Sequence, residues 1–149
     1  MQPLDLALAQ VRRHLLPFLF VLYVVAYLDR VNVSFAAASV SADLGLTSAG
    51  YGFAAGIFFL GYVLFEVPSN LMLNRVGARR WISRILLSWG LVAALMALIK
   101  TSHELFGLRL LLGIAEAGFF PGIVLFLSQW VPAAHRAKTL AGFMLAIPV

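Results

Sequence analysis

The stretch LGLTSAGYGFAAGIFFLGYVLF, Leu44 to Phe65, carries no charged side chain. At 1.5 Å per residue it makes about 33 Å of helix, enough to cross a hydrocarbon core of about 30 Å. Leu15 to Leu28, Ile85 to Ile99 and Leu110 to Leu127 are further apolar runs that approach this length, the last holding Glu116. Helix is the expected form, because lipid leaves every backbone polar group to be satisfied within its own segment. The runs are also about twice as long as barrel strands and lack their alternation. Over all 149 residues, 62% are hydrophobic and 11% charged, with a mean hydropathy of +0.97. A water-soluble globule needs more charge on its surface, so the composition points to an all-α integral membrane protein lodged in a lipid bilayer.

Four spans are expected, at about 15–38, 47–73, 81–99 and 105–130, with a partial fifth at 139–149. The last would be an incomplete span, so the chain is expected to be a fragment of something longer. Arg12, Arg13 and His14 precede the first run as in a signal peptide, but no small-residue cleavage pattern follows it, so a retained span is expected. The formal charge of +5 would suggest nucleic acid in a soluble chain. Here the cations fall between apolar runs, so no nucleic-acid partner is expected and the cations act as topology signals. Eight Lys or Arg lie before span one, around the second connection and after span four, while only Lys100 lies on the other side. The positive-inside rule then puts the N-terminus in the cytoplasm. The absence of cysteine excludes disulfides and thiol chemistry. His14, His103 and His135 sit in or beside connections without ligand spacing, so neither metal, cofactor nor enzymatic activity is expected.

The residues that do not belong in lipid are Asp29 and Arg30 in span one, Glu66 in span two, and Arg109 and Glu116 in span four. Each costs at least about 2.5–3.5 kcal/mol at the bilayer centre unless it finds a partner or a cavity. Tyr23, Tyr27, Arg30 and Ser34 recur at helical spacing as a polar stripe. Arg109 and Glu116, seven apart, share a face with Gly113 between them. Counted along the helices, Asp29 and Arg30 lie about 21–23 Å from the inner start of span one and Arg109 about 6 Å from the outer start of span four. An Asp29 to Arg109 ion pair is therefore possible by depth, leaving Arg30 to meet an anion. The plainer alternative is that these charges only pair internally and fix helix register; Glu66, near the cytoplasmic end, fits that role best. Tyr27 and Tyr62 are level with the charges. Gly52 with Gly56, and Gly118 with Gly122, form GxxxG spacings suited to close helix packing.

The second connection, Asn70 to Arg80, resembles the loop signature G-x-x-x-D-R/K-x-G-x-R/K-R/K of the major facilitator superfamily. Arg75, Gly77, Arg79 and Arg80 match; Asn70 stands for the first glycine and Asn74 for the acidic residue. Three further stretches are similar to the anion:cation symporter branch: Tyr27-Leu-Asp29-Arg30-Val-Asn32-Val-Ser34, Gly61-Tyr62-Val-Leu-Phe-Glu66-Val-Pro68-Ser69-Asn70, and Arg109 through Gly113, Glu116 and Gly118 to Pro121-Gly122. The resemblance implies the N-terminal part of a twelve-helix fold, a monomer when full length. It further implies proton-coupled import of a small organic anion such as a sugar acid, tartrate or an aromatic carboxylate across a bacterial inner membrane. Carried over, Arg30 receives the substrate carboxylate with Tyr27 and Tyr62 adding hydrogen bonds, Asp29 and Glu116 couple protons, and Arg109 is their ion-pair partner. Arginine suits a carboxylate through its planar fork, and a desolvated glutamate holds its proton more tightly. Two other readings stand beside this one: a four-helix membrane interaction or assembly protein, and a drug exporter of the same superfamily.

Overall fold

The computed structural model describes residues 11–144, and among them every regular element is helical. A π-helical turn, Val11–Leu15, leads into α1 (Leu16–Phe35), followed by α2 (Ala37–Asp43), α3 (Ser48–Val76) and α4 (Ala78–Leu95). A 3₁₀ turn, Met96–Leu98, precedes α5 (Ser102–Glu116), α6 (Phe119–Trp130) and α7 (Ala133–Met144). Four helical stretches among the described residues are long and apolar enough to cross a membrane: Arg13–Asn32, Ser48–Val76, Ala78–Leu98 and Ser102–Gln129. The fifth expected span, 139–149, lies outside the described residues beyond Met144. The exposed side chains of α3 include Phe53, Phe59, Leu60, Val63, Leu64 and Val67. Such a surface is untenable in water and ordinary in lipid.

The chain divides into two compact units. The first holds residues up to Asn32 together with those from Ile123 onward. In it Leu19, Tyr23 and Ala26 form a buried stripe at helical spacing on α1, and the Tyr23 ring lies 4.9 Å from that of Phe143 on α7. α6 ends where Pro132 cannot continue it, and Arg136 Nε donates to the Val131 carbonyl at 3.0 Å, satisfying an acceptor the helix end leaves open.

The second unit, Val33–Gly122, contains α2 to α5 and the first turn of α6. Thr47 caps α3 as its sequence position suggests, its Oγ1 accepting from the Gly50 amide at 3.2 Å. α5 opens with a capping box: Glu104 N–H donates to Thr101 Oγ1 at 3.3 Å, and the Thr101 amide donates back to Glu104 Oε2 at 3.1 Å. α3 and α4 are separated by Gly77 alone, at φ 92° and ψ 144°, so Asn70–Val76 are the last turns of a helix rather than a loop. The expected fourth span is interrupted too. α5 stops at Glu116, Ala117 turns to ψ 129°, Gly118 takes φ 83°, and α6 restarts at Phe119. Pro121 then falls in the first turn of α6, where its missing N–H is tolerated.

Candidate functional site

The tightest place in the second unit is the crossing of α3 and α5. A Cβ on Gly113 would fall on the Phe58 carbonyl oxygen, and one on Gly61 would lie 2.6 Å from the Leu110 carbonyl. Only glycine permits backbones to meet so closely. Gly113, between Arg109 and Glu116, is thus the point of closest approach, and Gly118 and Gly122 also face α3, against Ser69 and Leu73 respectively. The Gly52 and Gly56 pair does not, since a Cβ there meets nothing within 4 Å.

This crossing carries the ionisable residues. Arg109 and Glu116 are 4% and 1% exposed, and they share one face of α5 with Gly113 at offsets of four and seven. The Arg109 guanidinium carbon stands 5.7 Å from the centre of the Phe58 ring, within cation–π range. Phe58 in turn lies 6.2 Å, centroid to centroid, from Tyr62 one turn along α3. Tyr62 and Arg109 are therefore brought together around Phe58. Glu116 follows about 4.5 Å beyond Gly113 along the same helix, at the last residue before the Ala117–Gly118 break. Nothing in the sequence singles out Phe58 as the arginine's aromatic partner.

The other expected site residues stand elsewhere. Asp29 and Arg30 are half-buried near the C-terminal end of α1, in the first unit. Arg30 continues the stripe of Leu19, Tyr23 and Ala26, whereas Tyr27 is 39% exposed and Ser34 is exposed, so the expected polar stripe is divided between two environments. Glu66 is half-buried and its carbonyl accepts from Asn70 Nδ2 at 2.9 Å. Asn74 Nδ2 similarly donates to the Asn70 carbonyl at 3.2 Å, so the amide at the signature's acidic position turns back onto its own helix. Arg75, Arg79 and Arg80 are exposed on either side of Gly77.

A contact that the sequence did not mark braces the break. Trp81 Nε1 donates to Ser69 Oγ at 3.0 Å, and Ser69 is where a Cβ on Gly118 would fall. α3, α4 and the α5–α6 joint therefore meet at one buried hydroxyl. No group of three or more His, Asp and Glu able to hold a metal occurs among the described residues.

A chain of apolar membrane-crossing helices with buried charge at a glycine crossing and a one-glycine turn flanked by arginines matches one family model, the Major Facilitator Superfamily, over residues 19–149. The chain belongs to the Major Facilitator Superfamily. It is 54% identical, over 95% of its length and 33% of the relative's, to an Agrobacterium vitis protein named as a tartrate transporter. It is 53% identical over 91% of its length, and 31% of the relative's, to a quinolone resistance transporter of Acinetobacter baumannii. With RhmT, an inner membrane transport protein of Escherichia coli strain K12, it shares 42% identity over 98% of its length and 34% of the relative's. The chain spans about a third of the length of the curated relatives it matches. Major facilitator proteins are transporters and not enzymes, and membership also displaces the assembly-module reading.

Proposed function

We propose that this chain works as part of a proton-coupled secondary transporter that imports a small organic anion of the sugar-acid, tartrate or aromatic-carboxylate type. The observation that carries this reading is the placement of Arg109 and Glu116, both buried on the α3-facing side of a membrane-crossing helix. A buried carboxylate able to gain and lose a proton, on the helix that also holds a buried cation, is the minimum needed to couple charge movement to cargo. In this reading Glu116 and Asp29 are the coupling carboxylates and Arg109 the cation that answers them. Arg30 receives the substrate carboxylate through its planar fork, and Tyr27 and Tyr62 donate hydrogen bonds to it. Arg75, Arg79 and Arg80 hold the Gly77 turn at the cytoplasmic face of a bacterial inner membrane, with the N-terminus on the same side. RhmT, an inner membrane transport protein, supports that membrane, and the relative named as a tartrate transporter supports the cargo class.

The quinolone resistance relative supports a second reading, drug export, at nearly the same identity. The two separate in chimaeras. This chain, substituted for its matching stretch in the Agrobacterium vitis relative, should sustain uptake of tartrate and related carboxylates into proteoliposomes under a pH gradient. Substituted in the Acinetobacter baumannii relative, it should not sustain quinolone resistance; the reverse pair of results selects export. Within the uptake-competent chimaera, Glu116→Gln should abolish pH-driven accumulation yet permit substrate exchange. Arg30→Lys should weaken substrate affinity at least tenfold, about 1.4 kcal/mol. Normal concentrative uptake by Glu116→Gln would make Glu116 structural and leave Asp29 as the coupling carboxylate.

A further inference from the structure

The flank of α4 carries a groove of about 570 Å³, and the transport reading uses only its Arg79 and Arg80 end, at the Gly77 turn. Arg80, Arg84, Leu87 and Leu91 follow one another along it at offsets of four, seven and eleven, so they share a helix face. Arg79 widens the basic end, and no acidic residue lines the groove. Arg79 and Arg80 occupy the first turn of α4, where the positive end of the helix dipole disfavours cations. Their placement therefore does not serve the helix itself. Arg84 lies about 9 Å further in than Ala78, half-buried, with its guanidinium 4.2 Å from the Trp81 ring. Trp81 is itself fixed by its bond to Ser69, so Arg84 is held in place through two contacts. Its Nε is buried and makes no hydrogen bond among the described residues. Ser83 and Ser88 donate their hydroxyl protons to the carbonyls of Arg79 and Arg84, at 2.8 and 2.9 Å, which leaves the arginines as the groove's donors.

We propose that this groove binds an anionic phospholipid, the phosphate gripped by Arg80 and Arg84 with Arg79 at its mouth, and an acyl chain laid along Leu87 and Leu91. Charge complementarity selects the anion, and the guanidinium fork matches phosphate oxygens. Length selects a lipid over a free ion. From Arg79 to Leu91 the helix runs about 18 Å, several times the size of inorganic phosphate, and the far end is apolar, Leu87 and Leu91 being 76% and 64% exposed.

The test is native mass spectrometry of the full chain in detergent, with phosphatidylglycerol and phosphatidylcholine of the same acyl chains offered together. Phosphatidylglycerol should be retained in about tenfold preference, falling to about twofold or less in Arg80→Gln/Arg84→Gln. Arg13→Gln removes an exposed cation outside the groove and should leave the preference intact. If Arg84→Gln compromises folding, Arg79→Gln/Arg80→Gln, both at exposed positions, should still lower the preference by about threefold. The proposal fails if the preference survives these changes, or if Arg13→Gln lowers it equally, which would mean general surface charge. It also fails if millimolar inorganic phosphate displaces the lipid, which would mark a site for a soluble anion. Absence of any preference in the unaltered chain would mean that something other than lipid covers the groove.

Discussion

The crossing of α3 and α5 and the N-terminal half of α3 are both rich in glycine, yet they behave oppositely. At the crossing, Gly61 and Gly113 let two backbones touch; in the N-terminal half, Gly52 and Gly56 face open space. The second pair has the spacing associated with helix association and the first pair is not a spacing at all, since its members come from different helices. What distinguishes them is the neighbourhood. The crossing places a carbonyl opposite each glycine and a phenylalanine beside Arg109, so the contact that excludes lipid also encloses the ionisable residues. Close packing and buried charge are two aspects of one design, because a cation at this depth needs a wall that lipid tails cannot provide.

Gly113→Ala should have the largest effect. Its new Cβ would collide with the Phe58 carbonyl, backbone that cannot rotate aside, so the helices must part. A loss of at least about 3 kcal/mol is expected, read as a shifted midpoint in SDS-induced unfolding in mixed micelles. An unchanged midpoint would mean that the two backbones do not touch at this crossing. Gly118→Ala comes next, for two reasons that add. An L-residue at φ 83° is strained by about 1–2 kcal/mol, and the Cβ meets Ser69, which Trp81 holds in place. A total near 2–3 kcal/mol is expected in the same assay. A loss under about 1 kcal/mol would show that the α5–α6 joint readily adopts another geometry.

The four spans are legible in the sequence because hydrocarbon imposes a single demand, about 20 apolar residues, that hydropathy reads directly. Arg109 and Glu116 are legible for the same reason, since any ion in such a run stands out. The break at Ala117–Gly118 is not, although Gly118 and Pro121 both lie in the run; continuous apolarity hides a joint whose energetics depend on Ser69, almost fifty positions earlier. Phe58 is one of 12 phenylalanines, and no local pattern says which of them meets a cation. Asn70 and Asn74 show a third kind of limit. The family signature assigns their positions a glycine and an acid, but what their amides do here, bonding carbonyls four residues back, depends on α3 continuing as helix to Val76.

Trp81→Phe probes the joint from the α4 side. It keeps a ring under Arg84 and removes only the indole N–H that reaches Ser69. The net value of such a bond is about 1 kcal/mol, so a loss of that size is expected in SDS unfolding. The more telling measurement is a pair with Gly118→Ala. Since both changes act on the Ser69 side chain, their losses should fall short of adding by at least about 0.5 kcal/mol. Strict additivity would place Trp81 and Gly118 in separate interactions.

The smallest effect belongs to Gly56→Ala, and its sign is the point. The chemical change is identical to that at Gly113, one methyl group, but here nothing lies within 4 Å to oppose it. What remains is the backbone term: alanine loses less conformational freedom than glycine on entering a helix. The expected result for this chain is a gain of up to about 0.5 kcal/mol in SDS unfolding, against the large loss at Gly113. A loss above about 1 kcal/mol would instead mean that the Gly52–Gly56 face is covered, by a second copy or by further helices. Repeating the measurement across a range of protein concentrations separates those two, because only the second copy makes the loss concentration-dependent.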